Sequence, residues 1–218
     1  MKQQLFFMQC QNPACRFRFP LDLNQYQGKI CPKCGHALLR DLPQTPQWQP
    51  EWLNSPLPEI HLLLDNIRSG HNVGSIFRSS EGAGVSMLHL CGLTPAPDKS
   101  SEISKTALGA DRSLSWQWYP NSLDLANKLK AEGFNIVALE ATPEAIDLFS
   151  WQPVLNPESR LLLILGGEPT GVDPALMELA DQVVFIPMAG IKSSLNVSVA
   201  CGIALYSLLS KAAANSRG

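Results

Sequence analysis

Four of the six cysteines lie within the first 34 residues, in two close pairs. The pairs are Cys10-x4-Cys15 and Cys31-x2-Cys34, and fifteen residues separate them. Thiolates are soft ligands, and zinc prefers four ligands in a tetrahedron, which two short turns joined by a hairpin can supply. Two disulfides or four unrelated thiols are the alternatives, and disulfides are rare in cytosolic proteins. The spacing therefore predicts a structural zinc ion that these four thiolates bind, with no coordination position left open for a substrate.

Three loops rich in glycine and polar residues are candidates for a second site. They cover residues 65–78 (DNIRSGHNVGSIFR), 166–171 (GGEPTG) and 191–196 (IKSSLN). Each loop comes after a predicted strand. Ligands of open α/β sheets bind outside the carboxyl ends of the strands, so we expect these loops to meet there and to form a binding site.

The elements that must position these loops alternate between strands and helices. Apolar runs predict strands, and longer amphipathic or apolar stretches predict helices. The predicted strands cover residues 60–64, 87–91, 135–139, 161–165 and 183–186, and the predicted helices cover 72–84, 121–132 and 195–213. Such an alternation is typical of an α/β fold with a parallel sheet.

A proline-rich segment separates the cysteines from the α/β pattern. Residues 41–58 contain five prolines, too many for a helix or a central strand, so we expect a linker of restricted flexibility. The sequence thus predicts three parts: a zinc ribbon in residues 1–40, this linker in residues 41–58, and an α/β domain in residues 59–218.

Positive charge is concentrated at the start of the chain, although the formal net charge of the whole is −2. The first forty residues contain six basic residues and one acidic residue; the remainder contains eleven basic and eighteen acidic residues. A basic segment of this kind favours a nucleic-acid partner, because its contacts with phosphates release counterions. The simpler alternative is a charged surface that contacts only solvent. Residues 16–19 alternate arginine with phenylalanine and predict a strand. We expect Arg16 and Arg18 to contact phosphate and the two rings to fill the ribbon's small core, with base stacking by Phe17 or Phe19 as the alternative.

Several classes of protein are disfavoured by what the sequence lacks. No apolar run approaches the roughly 20 residues of a membrane span, and the apolar cluster at residues 5–8 is too short for a signal peptide, so we expect a cytosolic protein without a membrane partner. No GxGxxG follows the first predicted strand of the α/β pattern, and no GxxxxGK[ST] occurs. An enzyme that cradles nucleotide phosphates in such a loop is therefore disfavoured.

In order and spacing, the three loops resemble the signature motifs of the SpoU (TrmH) branch of the SPOUT methyltransferases. The resemblance covers roughly residues 60–210, and residues 105–110 (KTALGA) also look like a segment of that branch. It implies an enzyme that methylates a ribose 2′-hydroxyl of RNA with S-adenosylmethionine. It further implies a homodimer, with the C-terminal segment of each chain threaded into a trefoil knot whose loops hold the cofactor.

The resemblance also implies which residues form the site. Arg78 would contact the hydroxyl or a nearby phosphate; because a guanidinium stays protonated in proteins, we favour positioning, and deprotonation is left open. Glu168 would hold Arg78 or Asn72 in place, and Ser194 would both cap the last helix and face the site. The expected catalytic residues are Asn72, Arg78, Glu168, Ser194 and Asn196. The expected cofactor-binding residues are Leu165, Gly166, Gly167, Gly171, Ile186 and Leu195.

Lys192 and Arg112 are further candidates for contact with RNA, beside the two arginines of the ribbon. The motifs do not distinguish transfer RNA from ribosomal RNA as the substrate. A base methyltransferase of the same superfamily and a non-catalytic RNA-binding module are the alternative functions. The complete set of motif residues favours an enzyme over the binding module.

Overall fold

The computed structural model describes residues 5–43, 56–168 and 170–215. The chain forms two compact units, Met1–Pro50 and Glu51–Gly218. The predicted ribbon lies in the first unit and the predicted α/β domain in the second. Most of the predicted linker, residues 44–55, lies outside the described residues.

The first unit contains a three-stranded antiparallel sheet in the order β2-β1-β3. Its strands are β1 (Leu5–Cys10), β2 (Arg18–Asp22) and β3 (Leu38–Pro43). The strand predicted from residue 16 begins only at Arg18, because Arg16 has a φ of +47° that no strand accommodates. Phe17 is 38% exposed and stacks on Phe19 at 5.2 Å between ring centroids, so its predicted burial is wrong.

The second unit contains a seven-stranded parallel sheet in the order β6-β5-β4-β9-β7-β10-β8, which confirms the predicted α/β class. The strands are β4 (Glu59–Asp65), β5 (Met87–Cys91), β6 (Trp116–Tyr119), β7 (Asn135–Leu139), β8 (Ile146–Asp147), β9 (Arg160–Gly166) and β10 (Gln182–Phe185). The helices are α1 (Gly70–Gly82), α2 (Ser101–Ala107), α3 (Ala110–Ser113), α4 (Ser122–Ala131), α5 (Pro174–Leu179) and α6 (Val197–Asn215).

Helices cover both faces of this sheet, which is why its central strands are continuous apolar runs rather than alternating ones. On one face, Leu62 and Leu64 of β4 join a core cluster that includes Phe77 of α1 and Leu205 of α6. On the other face, Leu63 belongs to a cluster with residues of α4 and α5. The two clusters hold the strands rigidly, so the loops at their carboxyl ends start from fixed positions.

The order of the strands shows how the chain returns to the middle of the sheet. After β8 at one edge, the chain re-enters between β4 and β7 as β9, and β10 then pairs with both β7 and β8. This return brings the second and third loops beside the end of β7. The trefoil knot that the resemblance implies for this part of the chain stays a prediction.

The last helix, α6, is long and apolar enough to span a membrane by length and composition alone. Its 18-residue window Val197–Ala214 has a mean hydropathy of 1.5, although three serines and Lys211 interrupt its apolar residues. Cys201, Ala204, Leu205 and Leu208 of this helix belong to the core cluster beneath it. A helix that packs one stripe into a core is also common in globular domains, and the hydropathy of α6 alone does not indicate a membrane partner.

Candidate functional site

A cleft of about 230 Å³ opens at the carboxyl ends of three adjacent strands, β9, β7 and β10. Each strand contributes its last residues, and the third loop closes the cleft with residues 193–195. The residues predicted to bind a cofactor all line this one cleft: Leu165, Gly166, Gly167, Gly171, Ile186 and Leu195. The structure therefore brings together two loops that 19 residues separate in the sequence.

Glycine is required in the second loop because two backbone segments touch there. A Cβ on Gly166 would overlap the backbone of Gly171 and Val172. Gly171 itself has a φ of +71°, and its amide donates a hydrogen bond of 2.8 Å to the carbonyl of Gly167. The glycines of this loop thus form a tight turn whose backbone groups line the cleft.

Glu140 also lines the cleft, although it belongs to none of the three motif loops. It directly follows β7, and its two carboxylate oxygens accept hydrogen bonds from the backbone amides of Ala141 at 3.1 Å and Val172 at 2.9 Å. The second of these ties the loop after β9 to the end of β7. A charged residue immediately after a buried apolar strand is the signal that would have identified it.

The first and third loops are joined by a direct side-chain contact. The Asn196 amide donates to the Asn72 side-chain oxygen at 3.0 Å. The Asn196 side-chain oxygen also accepts from the amide of Ser198 at 2.9 Å, so Asn196 caps α6. The prediction that Ser194 caps this helix is wrong, because the helix begins two residues later than the predicted start; Ser194 does line the cleft.

Glu168 lines the cleft, but it does not hold Arg78 or Asn72. Its carboxylate instead accepts from the amide of Val197 at 3.3 Å, at the start of α6. The first backbone amides of α6 have no partner within the helix, so they attract the carboxylate of Glu168. Arg78 is exposed on α1, is not among the residues that line the cleft, and forms no ion pair with the residues that the structure describes.

The residues predicted to contact RNA lie in different surroundings. Lys192 and Arg112 are exposed and unpaired with any described acidic residue, one in the third loop and one on α3. Arg16 is exposed in the turn before β2. Arg18, in contrast, forms an ion pair with Asp41 at 2.5 Å. A neighbouring carboxylate weakens attraction to phosphate, so Arg16 is the stronger candidate within the ribbon.

The four predicted metal ligands converge in the first unit. The sulfur atoms of Cys10, Cys15, Cys31 and Cys34 all lie within 4.8 Å of one another. The Cys10–Cys34 sulfur distance is 3.5 Å and the Cys15–Cys31 distance is 4.0 Å. A zinc tetrahedron with 2.3 Å bonds has edges of about 3.8 Å, so the four sulfurs fit one ion. All four are free thiols, and the structure contains neither of the disulfides considered as an alternative.

The backbone also prepares one of these thiols for metal. A hydrogen bond from the amide of His36 lowers the pKa of Cys34 to about 6. Burial acts in the opposite direction on Cys10 and raises its pKa to about 12. Because thiolates rather than thiols bind metal, the hydrogen bond from His36 favours the form of Cys34 that can act as a ligand.

Comparison with known proteins identifies relatives of the second unit. The model of the "SpoU rRNA Methylase family" matches residues 59–206. The tRNA (guanosine(18)-2′-O)-methyltransferase of Aquifex aeolicus (strain VF5) is 31% identical over 157 residues, which are 72% of this chain and 71% of that protein. The 23S rRNA (guanosine-2′-O-)-methyltransferase RlmB of Vibrio cholerae is 33% identical over 156 residues, 71% of this chain and 60% of that protein.

Solved structures give the same result. The A. aeolicus TrmH/SpoU tRNA modifying enzyme superposes with a TM-score of 0.64 at 27% identity, covering 74% of this chain and 79% of that one. The AdoMet-bound rRNA methyltransferase from Sinorhizobium meliloti superposes with a TM-score of 0.63 at 25% identity, covering 81% of this chain and 65% of that one. The family match begins at Glu59, so it does not include the cysteine unit.

Glu140 provides a test of the cleft. We predict that Glu140→Ala raises the Kd for S-adenosylmethionine roughly 10- to 100-fold, since the charged hydrogen bond that ties Val172 to the end of β7 is lost. Isothermal titration calorimetry measures this affinity directly. Glu144→Ala is the matched control, because Glu144 is exposed four residues further on and does not line the cleft. Equal affinities in the two variants would show that Glu140 does not shape the site.

Proposed function

Since the chain belongs to the SpoU rRNA Methylase family, we propose that it transfers a methyl group from S-adenosylmethionine to a ribose 2′-hydroxyl of a transfer or ribosomal RNA. The observation that carries this proposal is the convergence of the second and third motifs on one cleft, which all six predicted cofactor-binding residues line. The two curated relatives described above, named as ribose methyltransferases, support the ribose rather than the base as the acceptor.

The lining of the cleft fits S-adenosylmethionine. Leu139, Leu165, Ile186 and Leu195 provide apolar walls suited to the flat faces of an adenine, and the glycine turn presents backbone amides and carbonyls for its polar edge. When bound, the cofactor supplies an electrophilic methyl group on a sulfonium. Glu140 and Glu168 add negative charge to the cleft, which suits a cationic ligand.

The remaining motif residues are positioned to orient the acceptor. The hydroxyl must attack in line with the bond that breaks, so its placement supplies much of the rate. Ser194 and Glu168 face the cleft, and the Asn72–Asn196 hydrogen bond fixes the first loop beside the start of α6. In this proposal Arg78 binds the phosphate next to the target ribose or the hydroxyl itself, and stabilises the developing negative charge on oxygen.

We further propose a cytosolic homodimer. Val199 and Tyr206 are about half exposed on α6. Gly202 lies near Ser79 and Gly82 lies near Tyr206, so α1 and α6 present these residues on a joint surface close to Arg78. Exposed apolar side chains on a helix pair suit a self-complementary contact between two copies. Arg78 would then lie beside the second chain.

A methyl-transfer assay tests the reaction. Incubation with labelled S-adenosylmethionine and unmodified total RNA, followed by nuclease digestion, should place the label on ribose. We predict that Arg78→Ala lowers kcat/KM at least 100-fold while the Kd for S-adenosylmethionine stays within about threefold, because Arg78 lies outside the cleft.

Lys128→Ala is a matched control for charge, since it removes an exposed cation of α4 that does not line the cleft; we expect little loss of kcat/KM. Label on a base would keep the family and overturn the ribose acceptor. RNA binding without any label would favour the non-catalytic module.

We propose that the cysteine unit holds one structural zinc ion. Of the residues described in this unit, only Met8, Cys10 and Cys31 are buried. So small an apolar core contributes little to stability, and four metal–sulfur bonds would supply what it lacks.

The zinc proposal predicts a stoichiometry. The purified protein should contain one zinc per chain by mass spectrometry of the metal, and Cys34→Ser should reduce this to a small fraction. The thermal unfolding of the first unit should shift to lower temperature in that variant or on chelation. Cys91→Ser, which changes a buried thiol of the second unit, should keep the full metal content.

We also propose that the zinc ribbon captures RNA for the second unit. Arg16, Lys29, Lys33 and Arg40 are all exposed on it, and Arg40 lies over the ring of Phe6 at 4.8 Å. A cluster of cations on a small module binds phosphate through counterion release.

Charge reversal distinguishes RNA capture by the zinc ribbon from a purely structural role of the ribbon. Arg16→Glu should raise the Kd for unmodified RNA about 3- to 10-fold and lower the slope of log affinity against log salt by about one. Arg18→Glu should have a smaller effect on RNA, because Arg18 is already paired with Asp41. Lys128→Glu, an exposed cation on α4, is the control. Loss of cofactor affinity in Arg16→Glu would instead show a structural role.

A further inference from the structure

A second group of exposed residues lies at the carboxyl edge of the sheet, outside the cleft. We call it the β6 patch, and it consists of Arg68, Leu93, Lys99 and Trp118. Leu93 is 64% exposed and Trp118 is 41% exposed. Arg68 and Lys99 are exposed and form no ion pair with the residues that the structure describes, although Asp98 adjoins Lys99 in the sequence. The reaction proposed above uses none of these four side chains.

Trp118 is held in a fixed orientation. It lies near the end of the edge strand β6, opposite Leu90 of β5. Its indole Nε1 donates a hydrogen bond of 3.2 Å to the carbonyl of Gly92. The Lys99 ammonium lies 5.5 Å from the ring centroid. A large ring that is exposed, oriented and close to a cation can bind an aromatic, anionic ligand with little loss of conformational entropy.

The patch is fixed to the cleft through the first loop. The side-chain oxygen of Asn66 accepts from the amide of Leu93 at 3.0 Å, and the amide of Ile67 donates to the Thr94 hydroxyl at 3.0 Å. Backbone atoms of Asn66 in turn lie so close to Gly167 that a Cβ there would overlap them. Trp118 therefore keeps a constant position relative to the loop that lines the cleft.

The separation of the two sites follows from the order of the strands. Between β9, which ends at the cleft, and β6, which carries Trp118, lie β4 and β5. Three strand spacings of about 4.8 Å give about 14 Å between the two strand ends. Nucleotides close to the methylated one in the same RNA strand can span this distance.

We propose that the β6 patch binds a nucleotide that flanks the target ribose, with its base stacked against Trp118 and Leu93 and its phosphate beside Lys99 and Arg68. The inference rests on the RNA substrate of the proposed function. Proteins recognise RNA chiefly by stacking of unpaired bases on aromatic side chains, with cations along the backbone. The patch has both components at the edge where the substrate must approach.

The test compares Trp118→Ala with Phe149→Ala, which removes another exposed aromatic just beyond β8, the opposite edge strand of the sheet. The probe is unmodified bulk transfer RNA, and the Kd is measured by filter binding at fixed salt. Trp118→Ala should raise this Kd about 10- to 100-fold, and Phe149→Ala should leave it unchanged. Lys99→Gln should lower the salt slope by about one.

Two further measurements distinguish base stacking by Trp118 from a structural role of this residue. Trp118→Phe loses the hydrogen bond to Gly92 but keeps a ring, so it should restore RNA affinity to within about fivefold of wild type. The Kd for S-adenosylmethionine should be unchanged in all of these variants. Wild-type RNA affinity in Trp118→Ala overturns the proposal, and so does loss of cofactor binding or a change from dimer to monomer, which would indicate a structural or interface role.

These outcomes are separable from failure of the proposed function. If wild-type protein binds RNA and Trp118→Ala weakens it, but no methyl group is transferred, the patch stands and the reaction is wrong. If methyl transfer occurs with the same KM for RNA in wild type and Trp118→Ala, the reaction stands and the patch is wrong. If the wild-type protein binds no RNA, both are overturned.

Discussion

The close approach of two backbone segments at Gly166 and Gly171 sets the shape of the cleft. No side chain larger than hydrogen fits at Gly166, and the hydrogen bond between Gly171 and Gly167 closes the turn. The turn can be this tight because β9 is paired on both sides and its end cannot shift. Glu140 then secures the returning chain at Val172. A ligand in this cleft meets backbone groups held by the sheet, which is a preorganised site.

Asn66 extends this rigidity from the cleft to the rest of the carboxyl edge. It has a φ of +58°, a conformation that asparagine tolerates better than most residues. Its side chain donates to Asp65 at 2.9 Å and accepts from Leu93. Burial raises the pKa of Asp65, while hydrogen bonds from Ser122 and the amide of Asp173 act in the opposite direction. The turn at Asn66 thus connects the ends of β4, β5 and β9.

Features of the fold that depend on a local pattern of residues could be predicted from the sequence. The strand predicted at residues 135–139 matches β7, because its two buried faces make it a continuous apolar run. The cysteine spacing predicted the cluster because short knuckles fix the ligands locally. β6 was missed: it is only four residues long, lies at an edge and exposes Trp118, so it has no apolar run. The position of Glu140 after a buried strand marks it as a candidate, but its partner Val172 lies 32 residues away and could not be predicted from a local pattern.

The ion pair between Arg18 and Asp41 shows why RNA contacts cannot be predicted from the charge of the sequence alone. In the sequence, Arg16 and Arg18 look equivalent, as alternate residues of one strand. The positive φ of Arg16 takes it out of the strand, and the antiparallel sheet brings β3 close enough for Asp41 to pair with Arg18. An exposed pair of this kind adds little stability, yet it lowers the local potential that a phosphate would experience. The charge available for RNA on the ribbon is therefore smaller than its composition indicates, and Arg16 contributes more to it than Arg18 does.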